Sequence, residues 1–520
     1  MNYVVCVRLR LGLIAYPVAA LLLAVFVCAP VYAQGKLPAP ERVVGDYLKA
    51  TGGKKRQAGI RDATYDYELL MKGQKAGRAR TQVKANTFAR TDTIFENDEK
   101  IAIGSNGRSA WELGADGHLN TLTDALGNTA KLRATLEASR LLDYKKLDVL
   151  ARTVGLETAA GEPAYVLEFS ARNGARLRYR FGSSSHLLLK IADDARQVET
   201  SYSDYRAEGG ILEPHRVEVR GADGATLVLV LQRVSYNTGL ALAVFDPPAA
   251  TEAALDIPAL LHELELNQKK IDERVAEYSF VEKRTEREIN SRGEVTKEKQ
   301  SVHEVYPLVG SQPIYKLISE DGVPLNAERA AKRDKEIAEF IARYEKEREK
   351  KARKEEELKS KGEAEKKKKD DEIGINVFLR ACELISPRRE QRGKREAVVF
   401  DFRPRQGFHP STQAESIVAK LVGIMWIDPV DKVVMRLEAR LAEGFKVGGG
   451  LVASISPGSA FAFEQVRQPD GVWLPRFAQV NFKARVLLFK GLEANETREY
   501  SDYKRFSGEA SGYQLDKPKP

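Results

Sequence analysis

The chain has 520 residues, 43% of them hydrophobic, with 83 basic and 74 acidic side chains and a net charge of +9. That length suffices for two or three cores. Charges of both signs are interspersed, which excludes the concentrated basic patch of a nucleic-acid binder and leaves at most a weak attraction to anionic lipid head groups.

The first 33 residues have the parts of an export signal in order. Arg8 and Arg10 are basic, Leu11 to Val27 is almost wholly apolar, and Val31-Tyr32-Ala33 places small residues where a signal peptidase reads. Cleavage after Ala33 is expected, leaving Gln34 first, a net charge of +7 and a periplasmic protein. A retained anchor is the alternative, because the apolar run is close to the length that spans a bilayer. Pro17 inside the run favours cleavage, and Val27 before Cys28 disfavours lipidation there. Cys6 and Cys28 leave with the signal, so Cys382 has no partner for a disulfide and stability must come from apolar cores.

A short helix follows, with Val43, Val44, Tyr47 and Leu48 on one face and a stop at Thr51-Gly52-Gly53. From there to about Phe245 the pattern is mostly strand. Arg176 to Phe181 alternates three arginines with Leu177, Tyr179 and Phe181, the period of a sheet wet on one face. Gly182 and three serines turn the chain into Leu187–Ile191, and Asp223-Gly224 marks a hairpin between Val217/Val219 and Leu227–Leu231. Asp246-Pro247-Pro248 reads as a boundary.

Ile257, Leu260, Leu261 and Leu264 then predict a helix, and a second strand-rich unit follows. In it Val433, Met435, Leu437, Ala439 and Leu441 oppose Val434, Arg436, Glu438 and Arg440, and Phe482, Ala484, Val486 and Leu488 alternate with charges. A charged run from about Glu328 to Glu372 interrupts this unit. Its opening stripe of Ile337, Phe340, Ile341 and Tyr344 gives way to Glu–Lys and Glu–Arg pairs four apart, a solvated helix fraying into a loop or an arm reaching membrane or a partner. Ile375, Phe378, Leu379 and Cys382 predict a short helix ended by Pro387, with Cys382 a packed thiol.

The halves echo one another. Tyr202, Arg206, Gly210 and Pro214 have counterparts in Phe463, Arg467, Gly471 and Pro475, each 261 positions on, as 463 is from 202. The Tyr-Ser-Asp-Tyr repeat at 202–205 and 500–503 is out of that register and reads as strand-end chemistry. The domains expected are 38–250 and 255–510, the second carrying the insertion 327–372.

Sequence motifs point to no reaction. His262-Glu263 and His303-Glu304 lack the second histidine of a zinc-protease motif and read as surface pairs. There is no Gly-x-Ser-x-Gly elbow and no phosphate loop, and Gly448-Gly449-Gly450 reads as a bend at a strand entrance. No catalytic residue, metal ligand or cofactor is therefore assigned.

Several segments resemble the LolA-like outer-membrane lipoprotein-sorting family. They are Tyr202 to Arg206, Gly210 to Pro214, Val234 with Asn237, and Phe245-Asp246-Pro247-Pro248. Ile103 to Gly107 leading to Ala110-Trp111 resembles that family's middle strand pair, and Trp426-Ile427-Asp428 with Val433 to Leu437 resembles it in the second half. The resemblance implies an α+β, mainly antiparallel fold: two tandem curved-sheet half-barrels, each covered by helices over an apolar cavity for acyl chains. It implies a non-enzymatic periplasmic carrier whose partner is a lipid or lipoprotein acyl chain, with possible membrane or envelope-protein contacts. The residues expected to line a cavity are Trp111, Leu177, Tyr179, Phe181, Val217 and Trp426. Solid cores in an envelope sensor or scaffold are the alternative. The charged insertion and the doubled domain depart from a simple carrier, and the second half has no counterpart of Phe245-Asp-Pro-Pro.

Overall fold

A computed structural model describes residues 37–248, 256–275, 277–290, 292–306, 313–339, 346, 350, 375–447, 453–486 and 492–505. The export signal, Lys366–Lys369 and Gly448–Gly450 lie outside them.

Helix α1 (Pro40–Ala50) begins with proline at its first turn and buries Val43, Val44 and Leu48. A short α2 (Lys54–Ala58) leads into the first sheet, which has thirteen strands. β1 (Asp62–Met71), β2 (Gln74–Lys84), β3 (Phe88–Phe95), β4 (Lys100–Asn106), β5 (Ala110–Leu113) and β6 (Leu119–Thr121) run from its middle to one edge. After α3 (Asp124–Ala138) the chain resumes at the opposite edge with β7 (Leu150–Ala159), β8 (Glu162–Ser170), β9 (Arg176–Gly182) and β10 (Leu188–Asp193). It returns through β11 (Val198–Glu208), β12 (Ile211–Arg220) and β13 (Thr226–Tyr236), which pairs antiparallel with β1.

The second half repeats this path. Helix α4 (Ile257–Val275) precedes β14 (Tyr278–Ile289), β15 (Val295–Tyr306), β16 (Ile314–Glu320) and β17 (Val323–Pro324). Residues 327–339, the start of the charged run, are helical and mostly exposed. Helix α5 (Ile375–Ala381) then leads to the far edge and β18 (Cys382–Arg392), β19 (Arg395–Pro404), helix α6 (Gln413–Val418), β20 (Leu421–Asp428) and β21 (Val433–Leu441). β22 (Phe445–Val447) and β23 (Ala453–Ile455) form a side hairpin. β24 (Ala460–Arg467), β25 (Trp473–Val486) and β26 (Leu492–Arg505) complete the sheet, and β26 pairs with β14 as β13 pairs with β1. Among the described residues neither sheet closes into a barrel.

The 261-residue offset survives in three dimensions. Tyr202 pairs with Val217 across β11 and β12, and Phe463 pairs with Ala478, each 261 positions on, across β24 and β25. Gly210 and Gly471 occupy the matching turns with φ of 82° and 89°, where an L side chain would be strained. The Tyr-Ser-Asp-Tyr segments fall in β11 and β26, which are not equivalent strands.

Three expectations are corrected. The stretch from Thr51 to Phe245 contains a fifteen-residue helix, α3, which shows no amphipathic stripe because Gly127, Thr129, Leu132, Ala134, Leu136 and Ala138 are buried around its circumference. The helix after the insertion ends at Ala381, and Cys382 opens strand β18, which runs through Pro387. Proline is tolerated there because β18 is an edge strand and its register shifts between Ile385 and Arg388. In β21 the predicted alternation breaks at a register shift opposite Trp426/Ile427. Val433 and Met435 therefore pack with Trp426, while Leu437, Ala439 and Leu441 join the opposite core.

Candidate functional site

Cross-strand register places Leu69, Leu229, Val217 and Tyr202 in one row across β1, β13, β12 and β11. Tyr179, Ile191 and Thr200 form a parallel row on the same face, because Thr200 lies two residues before Tyr202. Helix α3 covers this face, with Arg133 reaching Thr200 Oγ1 at 3.4 Å and Tyr202 Oη at 3.5 Å.

Toward β7–β10 the face is filled. Leu177 (1% exposed), Tyr179 and Phe181 pack with α1 and with Leu132 and Leu136 of α3. Tyr47 tilts against Phe181 at 5.3 Å, Phe169 meets Tyr179 edge-on at 5.0 Å, and Tyr144 meets Phe169 at 5.4 Å. Toward β1, β13 and β12 the filling is incomplete. Tyr65, Tyr67, Tyr202, Val219, Leu227 and Leu229 stay half-buried, and Met71 at the rim is 41% exposed. Burial raises the pKa of Tyr65 and Tyr202, lifts Tyr67 well above the usual range, and pushes Tyr47 up to about 12. These half-buried rings form the part of the covered face that stays partly open to solvent.

A polar cluster closes one end of it. Arg140 donates to Tyr65 Oη at 2.8 Å and Glu213 Oε1 at 2.7 Å, and also binds Gln57. Tyr236 Oη donates to the same Glu213 oxygen at 2.7 Å, so the charges of Arg140 and Glu213 neutralise one another.

The structure brings together Leu177, Tyr179, Phe181 and Val217 on the covered face, but neither predicted tryptophan. Trp111 pairs with Gly104 on the opposite face of β5, fully buried, with Nε1 donating to Phe245 O at 3.1 Å and Arg90 5.3 Å from the ring. Phe245 and Asp246, singled out in the sequence, thus close over the β4–β5 pair. Trp426 lies on the face of the second sheet opposite its helix-covered core of Val398, Phe400, Phe402 and Met425, between Arg392 and Arg436.

Trp426's face is buried because the first half docks there. Asp401, 0% exposed, accepts from Asn106 Nδ2 at 2.7 Å, Ser109 Oγ at 3.0 Å and Arg388 Nη2 at 3.1 Å. Thr121 sits between Arg388 and Glu390, Asp124 binds Arg436 at 2.7 Å, and Lys131 reaches Glu438 at 3.3 Å. Arg440 donates to Gly107 O at 2.7 Å. Sequence reasoning missed this junction, since its residues read as ordinary strand polar positions.

Of the histidines weighed for metal binding, His262 is exposed, but His303 is half-buried against Tyr315 rather than at the surface, and burial lowers its pKa. Among the described residues no three His, Cys, Asp or Glu side chains converge on a metal position, and no helix is long and apolar enough to cross a membrane.

No family model and no curated protein matches the chain. Solved structures similar to it include a DUF1329 family protein from Desulfovibrio piger, 16% identical, which pairs 40% of this chain with 96% of that one at a TM-score of 0.28. A LolA superfamily protein from Nitrosomonas europaea is 14% identical over 41% of this chain and 99% of its own, also at 0.28. The Pseudomonas aeruginosa MucA/MucB complex is similar over 89% of this chain and 99% of that one, at 9% identity and a TM-score of 0.17. The chain thus resembles LolA superfamily and outer-membrane lipoprotein-sorting structures, each over about two fifths of its length.

Proposed function

We propose that the protein is a non-enzymatic envelope carrier that shields an acyl chain of a lipid or lipoprotein in the concavity of its first half. It is exported to the periplasm, with the signal cut after Ala33, and its domains are 38–250 and 255–510. The observation that carries this reading is the half-buried row of Tyr65, Tyr67, Leu227 and Leu229, which continues the face packed by α1 and α3 and ends at the exposed Met71. The driving force is desolvation: each CH₂ removed from water contributes about 0.8 kcal/mol, so a chain of about a dozen carbons is held without polar chemistry.

The test is uptake of a fluorescent fatty acid, with native mass spectrometry of protein extracted gently from its envelope. A bound mass removable by organic solvent, and uptake weakened at least about tenfold by Leu229→Asp, support the carrier. Protein that is free of lipid and takes up no probe refutes it. A second reading, a sensor or scaffold that binds a protein partner, is favoured by the closed aromatic packing of Tyr47, Phe169, Tyr179 and Phe181. It gains ground if uptake is absent.

A further inference from the structure

A cavity of about 120 Å³ lies between the two halves, away from the concavity. One wall is the β8–β9 turn with Arg172 and Arg176. The other comprises Arg287 of β14, Gln479 of β25, Asn495 of β26 and the β14–β15 turn at Gly293. The walls are held in register. Asn495 Nδ2 donates to Arg172 O at 2.7 Å and to Asn481 Oδ1 at 2.6 Å. Gly293 has φ of 80°, and a Cβ there would lie 2.3 Å from Ser170 Oγ, so only glycine lets the two turns approach this closely.

Three guanidinium groups line this space, and none of the lining residues is acidic. Arg172 has Asp148 at 3.6 Å and Arg287 has Glu298 at 2.7 Å, both carboxylates outside the lining. Arg176 has no carboxylate partner among the described residues. Positive charge is therefore left over at a spot rich in N–H donors. About 15 Å³ admits one water, so the cavity has room for a tetrahedral ion and its hydration. Guanidinium forks match such oxyanions in bidentate geometry.

We propose that this junction binds a phosphate-class oxyanion, which bridges arginines of both halves. The bound group is either free inorganic phosphate or the phosphate of an anionic lipid head group, and the site is independent of whether the concavity holds a chain.

The test compares the full mature chain with the Arg176→Gln/Arg287→Gln double variant at low salt. Expected are a phosphate-dependent rise in Tm, calorimetric binding of inorganic phosphate, and at least a tenfold loss of affinity in the double variant. Arg176 is exposed, whereas Arg287 pairs with Glu298 and donates to Thr497 Oγ1 at 3.4 Å. Circular dichroism and phosphate-free Tm are therefore measured beside the parent's, and Arg176→Gln alone should leave both unchanged while still weakening phosphate binding. Flotation with phosphatidylglycerol or phosphatidylcholine vesicles distinguishes the sources. Arginine-dependent binding to the anionic vesicles, competed by phosphate, assigns the head group; phosphate binding without vesicle binding assigns the free ion. No phosphate binding at millimolar concentrations, or equal binding by parent and variant, overturns the proposal.

Discussion

Arg388→Ala should weaken the junction of the halves more than any surface charge change in β18. The guanidinium is 1% exposed and donates to Thr121 Oγ1 at 2.7 Å, Glu390 Oε1 at 3.0 Å, Asp401 Oδ1 at 3.1 Å and Ser386 O at 3.0 Å. Removing one partner of a buried ion pair costs about 3–5 kcal/mol, because the other charge stays buried. Asp401 keeps Asn106 and Ser109 as donors and Glu390 keeps Thr121, so the expected loss is at the low end, about 3 kcal/mol. With urea slopes of about 1–3 kcal/mol per molar, the midpoint should fall by on the order of 1 M. The assay is urea unfolding followed by tryptophan fluorescence, since Trp426 is buried on the same face of that sheet. Arg389→Ala is the control: its side chain is 30% exposed and pairs with Glu396, so a change of at most about 1 kcal/mol is expected. If Arg388→Ala moved the midpoint no more than Arg389→Ala, a tightly packed ionic junction would be refuted.

Two further predictions concern single elements. Glu415 in α6 accepts from Ser411 N and Oγ, both at 2.7 Å, and from Arg380, and these contacts lower its pKa to about 2 from 4.5. Its stabilising contribution is thus present above about pH 4.5 and lost as pH falls toward 2; an acid titration should show Glu415→Gln to be less acid-sensitive than the parent, and identical profiles would refute this. A Cβ at position 104 would lie 2.5 Å from Trp111 Cζ2, so Gly104→Ala should cost about 1–3 kcal/mol and shift Trp111 emission; unchanged stability and emission would show that the indole does not lie on that glycine.

Alternation at Arg176–Phe181 and the apolar stripe at Val43–Leu48 were legible because each buries one face and wets the other, so sequence period and burial coincide. The duplicated halves were legible for a related reason. Gly210 and Gly471 hold positive φ in matching turns, and local backbone demands of that kind persist in sequence. Where an element is buried on two sides, the signal vanishes. Helix α3 lies between the first sheet and the second half and so carries no stripe, and β21 is buried on both faces with a bulge that exchanges them.

The same distinction governs the candidate sites. By itself the sequence determined an antiparallel, duplicated architecture and the shared face of Leu177, Tyr179 and Phe181, since both follow from local periodicity. Only the tertiary structure decided that Trp111 and Trp426 face away from the helix-covered cores, that Asp401 and Arg388 are buried, and that three arginines from both halves line one cavity. Those facts depend on which surfaces dock at sequence separations of hundreds of residues, and no local pattern encodes the partner that removes a side chain from water.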